Sequence, residues 1–514
     1  MKQRLKRVLS TVLCVACASI CMTSCSDKTD NADNSNKLTY WVTLTANSTS
    51  QVSNYAETKI AQELEKRLGA DIEYIHPANG QVKEKFNIMI AMDDRPDLIE
   101  YSWANYPGGP ANAIDSNIII DITPYLDMAP NFKKYLEEHE DIAKMVKTDD
   151  GRIIGFPFVR GDESLLTSAG IVLRSDWLKE LNLNVPETIE EWETVLTAFK
   201  EQKGASVPLS IRPLEQLQFG AFVGAYGTTS KTYVEDGIVK YGPAQPEFKE
   251  FLTLMNKWYN KGLISPSIAT LDSAETDANI LSGVSGAAVG SIGSGIGRWM
   301  AAASEDGYDL VAAPYPVLNK GDKAQFGQCD IPVPGTFVCI SSTCKNIELA
   351  MKYLDYGYSE EGQMLYNFGI EGESYNIEDG YPKYADVITK NPEGKSLAEA
   401  MANYIRAHES GPFIQDKRYM EQYAVLPQQQ QAWKVWTDTD ASKYILPHIT
   451  TENADDIAKM QTAVNTYYEE MLYKFIMGIE PIDNFDKYVD ELNNRGLATV
   501  VKSQQEGYDR YLAR

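Results

Sequence analysis

The sequence predicts an α/β fold with at least two domains, and three observations point to it. Short apolar, β-rich runs alternate with amphipathic helical stretches from residue 37 onward, which is the pattern of an α/β chain with mainly parallel sheets. A second unit of the same character begins near residue 170. The length, 514 residues, is enough to bury two substantial cores.

The first unit reads in order. KLTYWVTL (37–44) is a strand, and SNYAETKIAQELEKRLG (53–69) is a helix closed by Gly69. DIEYIHP is a second strand, VKEKFNIMIAM a second helix and PDLIEYS a third strand. Ligands of such sheets collect at the carboxyl ends of the strands. Those ends hold residues 41–47 and 101–105. In the second unit, GIVLRSDWLKELNL (170–183) precedes Pro186-Glu187-Thr188, which opens a helix running through about Phe199.

The first 24 residues have a different character. Lys2, Arg4, Lys6 and Arg7 precede an uncharged apolar run from Val8 to about Met22, the pattern of a secretory signal peptide. A transmembrane helix needs roughly 20 predominantly apolar residues, and Ser10, Thr11 and Ser19 interrupt this run. Met22-Thr23-Ser24-Cys25 resembles the lipobox of bacterial lipoproteins, which implies cleavage before Cys25 and lipidation of its thiol. An ordinary secretory signal with an incidental cysteine is the plainer alternative. The Asn-, Asp- and Ser-rich run that follows, within residues 25–37, has nothing to pack and reads as a flexible tether.

Formal charge is −24. Loss of residues 1–24 removes four basic and no acidic residues and leaves a body near −28. Such a body is repelled by nucleic acid, so no nucleic-acid partner is expected. Of seven cysteines, Cys329, Cys339 and Cys344 remain beyond the signal and Cys25. An odd number makes no disulfide framework, leaving one pair or buried free thiols open.

Several longer segments carry a family resemblance. RPDLIEY (95–101), IIIDITPYLD (118–127), DGRIIGFPFVRGD (150–162), IVLRSDWLKELNLNVPETIEEWETVLTAFK (171–200), WYNKGLISP (258–266), GAAVGSIGSG (286–295) and residues 341–375 follow one another in order. In that order and spacing they resemble the extracellular solute-binding proteins of bacterial ABC importers, family 1, the maltose-binding-protein-like group. FIMGIEPIDNFDKYVDELNNRGL (475–497) is similar to its carbohydrate-binding lipoproteins of the Gram-positive type. Arg174 and Ser175 stand where Asn and Lys are more usual.

The resemblance implies a two-lobed, periplasmic-binding-protein-like type II fold with the ligand cleft between lobes. It places lobe I in residues 38–159 plus 314–343, and lobe II in 163–309 plus 344–514 with a C-terminal helical extension. Crossovers are then expected near Phe156 to Asp162, near Asp309 to Pro314 and, as a third, near Ser341 to Cys344. The expected activity is capture of a carbohydrate by lobe closure and delivery to ABC transporter permease subunits. The expected protein is a monomer held on the extracellular face of the membrane by its N-terminal lipid, with no cofactor and no metal.

Sugars offer hydroxyl rims to polar side chains and C–H faces to aromatic rings. Trp103 and Tyr106, beside Gly108-Gly109, are expected to line the cleft; Trp41 is balanced between cleft and core. Trp299 follows the glycine-rich GSIGSGIGR where the resemblance implies a sugar-stacking aromatic, with packing of its helix as the alternative. Arg160 at the crossover could fork onto hydroxyls or serve a hinge salt bridge. Gln218 and Tyr375 complete the expected ligand set, Glu373 being a weaker candidate.

An enzyme is the rival class, as a polysaccharide-degrading surface protein; a solute-binding protein for a peptide is another alternative. With 72 acidic residues some carboxylate pair is inevitable, so that feature decides nothing. His76, His139, His408 and His448 show no H-E-x-x-H spacing, and Thr389 stands where a phosphate loop before Gly394-Lys395-Ser396 needs its first glycine. No cysteine pair has zinc spacing.

Overall fold

The computed structural model describes residues 36–514 except Asn79, Pro392 and Gly394, and only the backbone of Phe219. The signal peptide, Cys25 and the tether up to residue 35 lie outside the described residues.

Fifteen strands are described: β1 Lys37–Trp41, β2 Asp71–Ile75, β3 Leu98–Ser102, β4 Phe156–Pro157, β5 Val159–Arg160, β6 Ala169–Arg174, β7 Leu209–Ser210, β8 Thr232–Glu235, β9 Ile238–Tyr241, β10 Ala287–Ser291, β11 Leu310–Ala313, β12 Thr336–Ile340, β13 Tyr375–Glu378, β14 Tyr381–Tyr384 and β15 Ile414–Gln415. Two sheets organise the protein into two lobes, in the orders β2-β1-β3-β12-β4 and β11-β6-β10-β7. Neither sheet is mainly parallel, contrary to the pattern expected. β1 runs parallel to β2 and β3, but β12 is antiparallel to both β3 and β4, and β6 is antiparallel to both β10 and β11. The crossing segments deliver strands from the opposite direction, which a βαβ count from sequence does not register.

Local signals fix the helices that cover these sheets. Thr58 caps Lys59–Leu68 through the Ala61 amide, and Gly69 ends it in the left-handed conformation at φ 65°. Thr188 and Glu191 form a reciprocal capping box that starts Ile189–Gln202. The first core gathers Leu38, Ile72, Leu98, Phe156 and Val338. Ile171, Leu173, Leu209 and Val289 meet Trp192, Trp258 and the C-terminal helices in the second. On the other face of the second sheet, Val172 packs with Trp436, whose ring lies so close to Gly170 that a Cβ there would meet it at 2.4 Å. The Gln431 amide accepts from Ala312 N at 2.9 Å and donates to Ala312 O at 3.0 Å, covering the outer edge of β11 in place of a further strand.

The expected lobe boundaries need three corrections. Leu310–Ala313 is a strand of the second sheet, so the second crossing falls in residues 314–335. No crossing occurs at 341–344, because Ala350, Met351, Leu354, Leu365 and Tyr366 on the next helices return to the first core. The third crossing starts at β15, which pairs in parallel with β5. Apolar faces of helices carry no mark of the sheet they will cover, so sequence alone does not join residues 344–413 to the first lobe. Cys329, Cys339 and Cys344 are free.

The C-terminal helix Leu497–Leu512 starts in the second core and ends against the first lobe. Arg514 donates to Asp149 Oδ1 at 2.6 Å and to the Lys147 carbonyl at 2.6 Å, and Arg510 and Thr450 also donate to Asp149. Burial pushes the Asp149 carboxyl up, but the hydrogen bonds from Thr450, Arg514 and Arg510 outweigh it and hold it below the usual carboxylate range. Its contribution to stability is therefore present above the ordinary Asp value, about 3.9, and is lost as pH falls through the depressed folded value. Asp149→Ala is expected to cost about 2 kcal/mol at pH 7, since it leaves the buried Arg514 guanidinium with backbone carbonyls but no carboxylate partner, and to flatten the acid limb of a melting-temperature profile.

Candidate functional site

A cavity of about 270 Å³ lies where both lobes meet the crossing segments. Asn47, from the loop after β1, and Phe158 and Arg160 form one side; Thr167 and Ser168 before β6, and residues 291–294 after β10, form the other. Residues 407–409, Gln415, Tyr419 and Tyr423 close it.

Arg160 is positioned by all three crossings. Its amide donates to the Pro332 carbonyl at 2.9 Å, its Nη2 to Asp330 at 2.7 Å and its Nη1 to Gln415 Oε1 at 3.4 Å. The hinge salt bridge, one of the two alternatives for it, is present, and the side chain also stands on the cavity wall. Gly161 must be glycine, because a Cβ would come within 2.6 Å of the Gln415 carbonyl.

The segment after residue 404 rests on a buried charge network. Arg406 Nη2 donates to both oxygens of Glu100, at 3.0 and 3.1 Å, and Glu100 also accepts from Tyr40 and Ser410, each at 2.6 Å. With that anchor fixed, Glu409 meets the loop after β1, where its carboxylate accepts from Thr45 and from Ser48 at 2.6 Å. His408 lies between, its side chain 6% exposed, and neither ring nitrogen has a hydrogen-bond partner. Burial pushes the imidazole below its ordinary value and outweighs the nearby Glu409 carboxylate, so His408 is neutral at pH 7. A buried unpaired polar group is costly, and a cavity-side hydroxyl reached by rotation of the ring would relieve it.

Two rings supply the apolar surface opposite. Tyr419 and Tyr423 lie one helical turn apart on Lys417–Tyr423 and stack with centroids 5.8 Å apart. The π-helical turn Ile292–Gly297 presses its backbone against them; a Cβ on Gly293 would meet the Tyr423 hydroxyl at 2.4 Å. The glycine-rich turn thus brings backbone to the cavity as its composition suggests.

Of the aromatic residues singled out from sequence, Trp41 and Trp299 take the core alternative stated for each, and Tyr375 is buried away from the cavity. Trp299 is in the core behind the turn, 2% exposed, with its Nε1 donating to Asp277 at 2.7 Å and its ring over Gly290. Trp41 packs edge-on to Tyr101 in the first core. Tyr375 is buried in the β13–β14 hairpin against Phe368. Gln218 is exposed, its amide donating to the Leu214 carbonyl, and lines neither cavity described here. Glu373 pairs with Lys59 at 3.4 Å on the surface. Trp103 and Tyr106 line a second cavity of about 450 Å³, shared with Phe337, His448, Thr450 and Arg514. Burial on sheet faces and behind the turn accounts for the misplacements: a large ring at a strand end has a core to fill before it has a ligand to meet.

His408, Glu409, Tyr419 and Tyr423 were not singled out as site residues. Their signals were present, in a charged loop closed by Gly411-Pro412 and in two tyrosines at i, i+4, but nothing local ties residue 408 to residues 45–48. Among the described residues no group of three or more His, Cys, Asp or Glu is placed to hold a metal ion. With its ring in the core, Trp299→Ala is expected to cost about 3–5 kcal/mol of stability in the protein without ligand, read as a fall in denaturant midpoint.

Comparison with known proteins agrees with this architecture. Lipoprotein LipO of Bacillus subtilis is 28% identical over 340 residues, 62% of this chain and 64% of LipO, just under two thirds of that relative. The fructooligosaccharide ABC transporter substrate-binding protein FusA of Streptococcus pneumoniae serotype 4 is 24% identical over 507 residues, 91% of this chain and 90% of that protein. Among solved structures, an HMO-binding ABC-transporter-associated solute-binding protein from Bifidobacterium longum infantis superposes with a TM-score of 0.75 at 20% identity, covering 93% of this chain and 99% of that one. Alginate-binding protein AlgQ2 does so at 0.72 and 23%, covering 92% and 98%. These likenesses show the shared two-lobed fold. The model of bacterial extracellular solute-binding proteins matches residues 47–364, well over half of the sequence, and the chain belongs to that family.

Proposed function

We propose that this protein is the extracellular substrate-binding component of a sugar ABC importer, which captures an oligosaccharide between its lobes and delivers it to the permease. One observation carries the reading: a cavity walled from both lobes combines a stacked tyrosine pair with hydroxyl, amide and imidazole groups. That is the pairing a sugar needs, a flat ring for its C–H face and polar groups for its hydroxyl rim. The family membership and the names of FusA, AlgQ2 and the HMO-binding protein support the same cargo class. Because the walls come from both lobes, ligand contacts favour the closed arrangement, and the permease reads that arrangement.

The protein acts without catalysis in this reading. Glycoside hydrolysis uses two carboxyl groups flanking the bond, and among the described residues Glu409 is the one acid on the cavity wall. Lipidation at Cys25 and a tether on the outer membrane face complete the proposal, with the monomer as the working unit; no helix among the described residues is long and apolar enough to cross a membrane.

A thermal-shift screen against oligosaccharides, peptides and amino acids, with product analysis of every hit, tests this function. An oligosaccharide that raises the melting temperature and is recovered intact is the expected result. Shortened or unsaturated products would establish an enzyme, and a peptide hit alone would change the cargo. Tyr423→Ala is expected to weaken sugar binding at least fivefold, about 1 kcal/mol of stacking, with a smaller loss of unliganded stability than Trp299→Ala because the ring is only partly buried. Cys25→Ser is expected to move the protein from the membrane fraction to the medium in a bacterial host.

A further inference from the structure

We infer that the cavity selects an uncharged saccharide unit over a uronate or other anionic sugar. The inference rests on the carbohydrate reading and narrows it. Charge balance on the wall carries it. Arg160 is the one Lys or Arg side chain among the described residues that line the cavity, and its guanidinium is already matched by Asp330 at 2.7 Å. Glu409 sits on the same wall with its side chain 3% exposed. Its nearest cation, Arg406, stands 3.8 Å away and is itself engaged by both oxygens of Glu100.

Of the surrounding cations, Lys231 faces Asp330 as Arg160 does, and three more are paired. Lys417 pairs with Asp162, Arg418 with Asp416, and Arg298, beyond the glycine-rich turn, with Asp277. The remaining polar groups on the wall are neutral: Asn47, Thr167, Ser168, Ser291, Ser294 and Gln415. The orphaned His408 imidazole joins them as a group that accepts at one nitrogen and donates at the other. Such a set matches hydroxyls, which both donate and accept. A carboxylate would enter a partly enclosed site that offers no free positive charge and already holds one acid, so its desolvation would go uncompensated.

The test compares matched sets of two to five units, neutral gluco-, fructo-, galacto-, xylo- and manno-oligosaccharides against oligogalacturonates and oligoalginates. Binding to the purified protein is read by calorimetry at low and at high salt. The expected result is a neutral ligand bound at least tenfold more tightly than any uronate of equal length, with an affinity that barely changes with salt. A uronate bound more tightly, with affinity falling as salt rises, would overturn the inference while leaving the carbohydrate reading intact. Failure of every saccharide beside a peptide hit would remove the carbohydrate reading itself, and the inference with it. Glu409→Gln keeps an acceptor for Thr45 and Ser48 while removing the charge. It is expected to raise the ratio of uronate to neutral affinity at least threefold, and an unchanged ratio would remove Glu409 as the excluding charge.

Discussion

The knot at Arg160 is the constraint on which the rest of the structure depends. Two lobes with separate cores are joined by chain segments that must cross side by side, and unpaired backbone there would be costly. Parallel pairing of β5 with β15 satisfies the first and third crossings, and the Arg160 amide reaches the second at Pro332. The guanidinium then ties Asp330 and Gln415 to the same point. A joint of two-residue strands and one forked side chain holds the lobes in register.

The cavity inherits its shape from that joint and its chemistry from a second anchor, the Arg406–Glu100 pair. Glu100 occupies the middle of a sheet strand, where an ionised group would be untenable without the fork that Arg406 presents and the hydroxyls of Tyr40 and Ser410. This buried network holds a long loop against the first sheet, and the loop presents His408 and Glu409 at the cavity. Packing energy is thus used to aim polar groups that a flexible loop would leave solvated. The Asp149 cluster near the C-terminus adds a second tie between the lobes, remote from the cavity.

Much of the fold was legible because its signals are local. The β-α-β-α-β order of the first unit, the Gly69 stop and the Thr188–Glu191 cap follow from residues within a few positions of one another. Strand ends at residues 41–47 and 101–105 do border cavities, through Asn47 and through Trp103. The glycine-rich turn after β10 reaches the cavity through its backbone and Ser291 and Ser294, while its tryptophan turns inward. Sequence registers that a large ring must find a surface to cover; it does not register whether that surface is ligand or core.

By itself the sequence determined the element types, the order of the two α/β units, the acidic character of the chain, and the family resemblance. Tertiary structure decided which lobe each helix joins, the mixed direction of both sheets, and the identity of the cavity wall. The physical reason is separation along the chain. A cap or a turn is set by neighbours three or four residues apart, whereas Thr45 meets Glu409 across 364 residues and Arg160 meets Gln415 across 255. Contacts of that span arise only when two complete cores have formed and their crossings have been tied together.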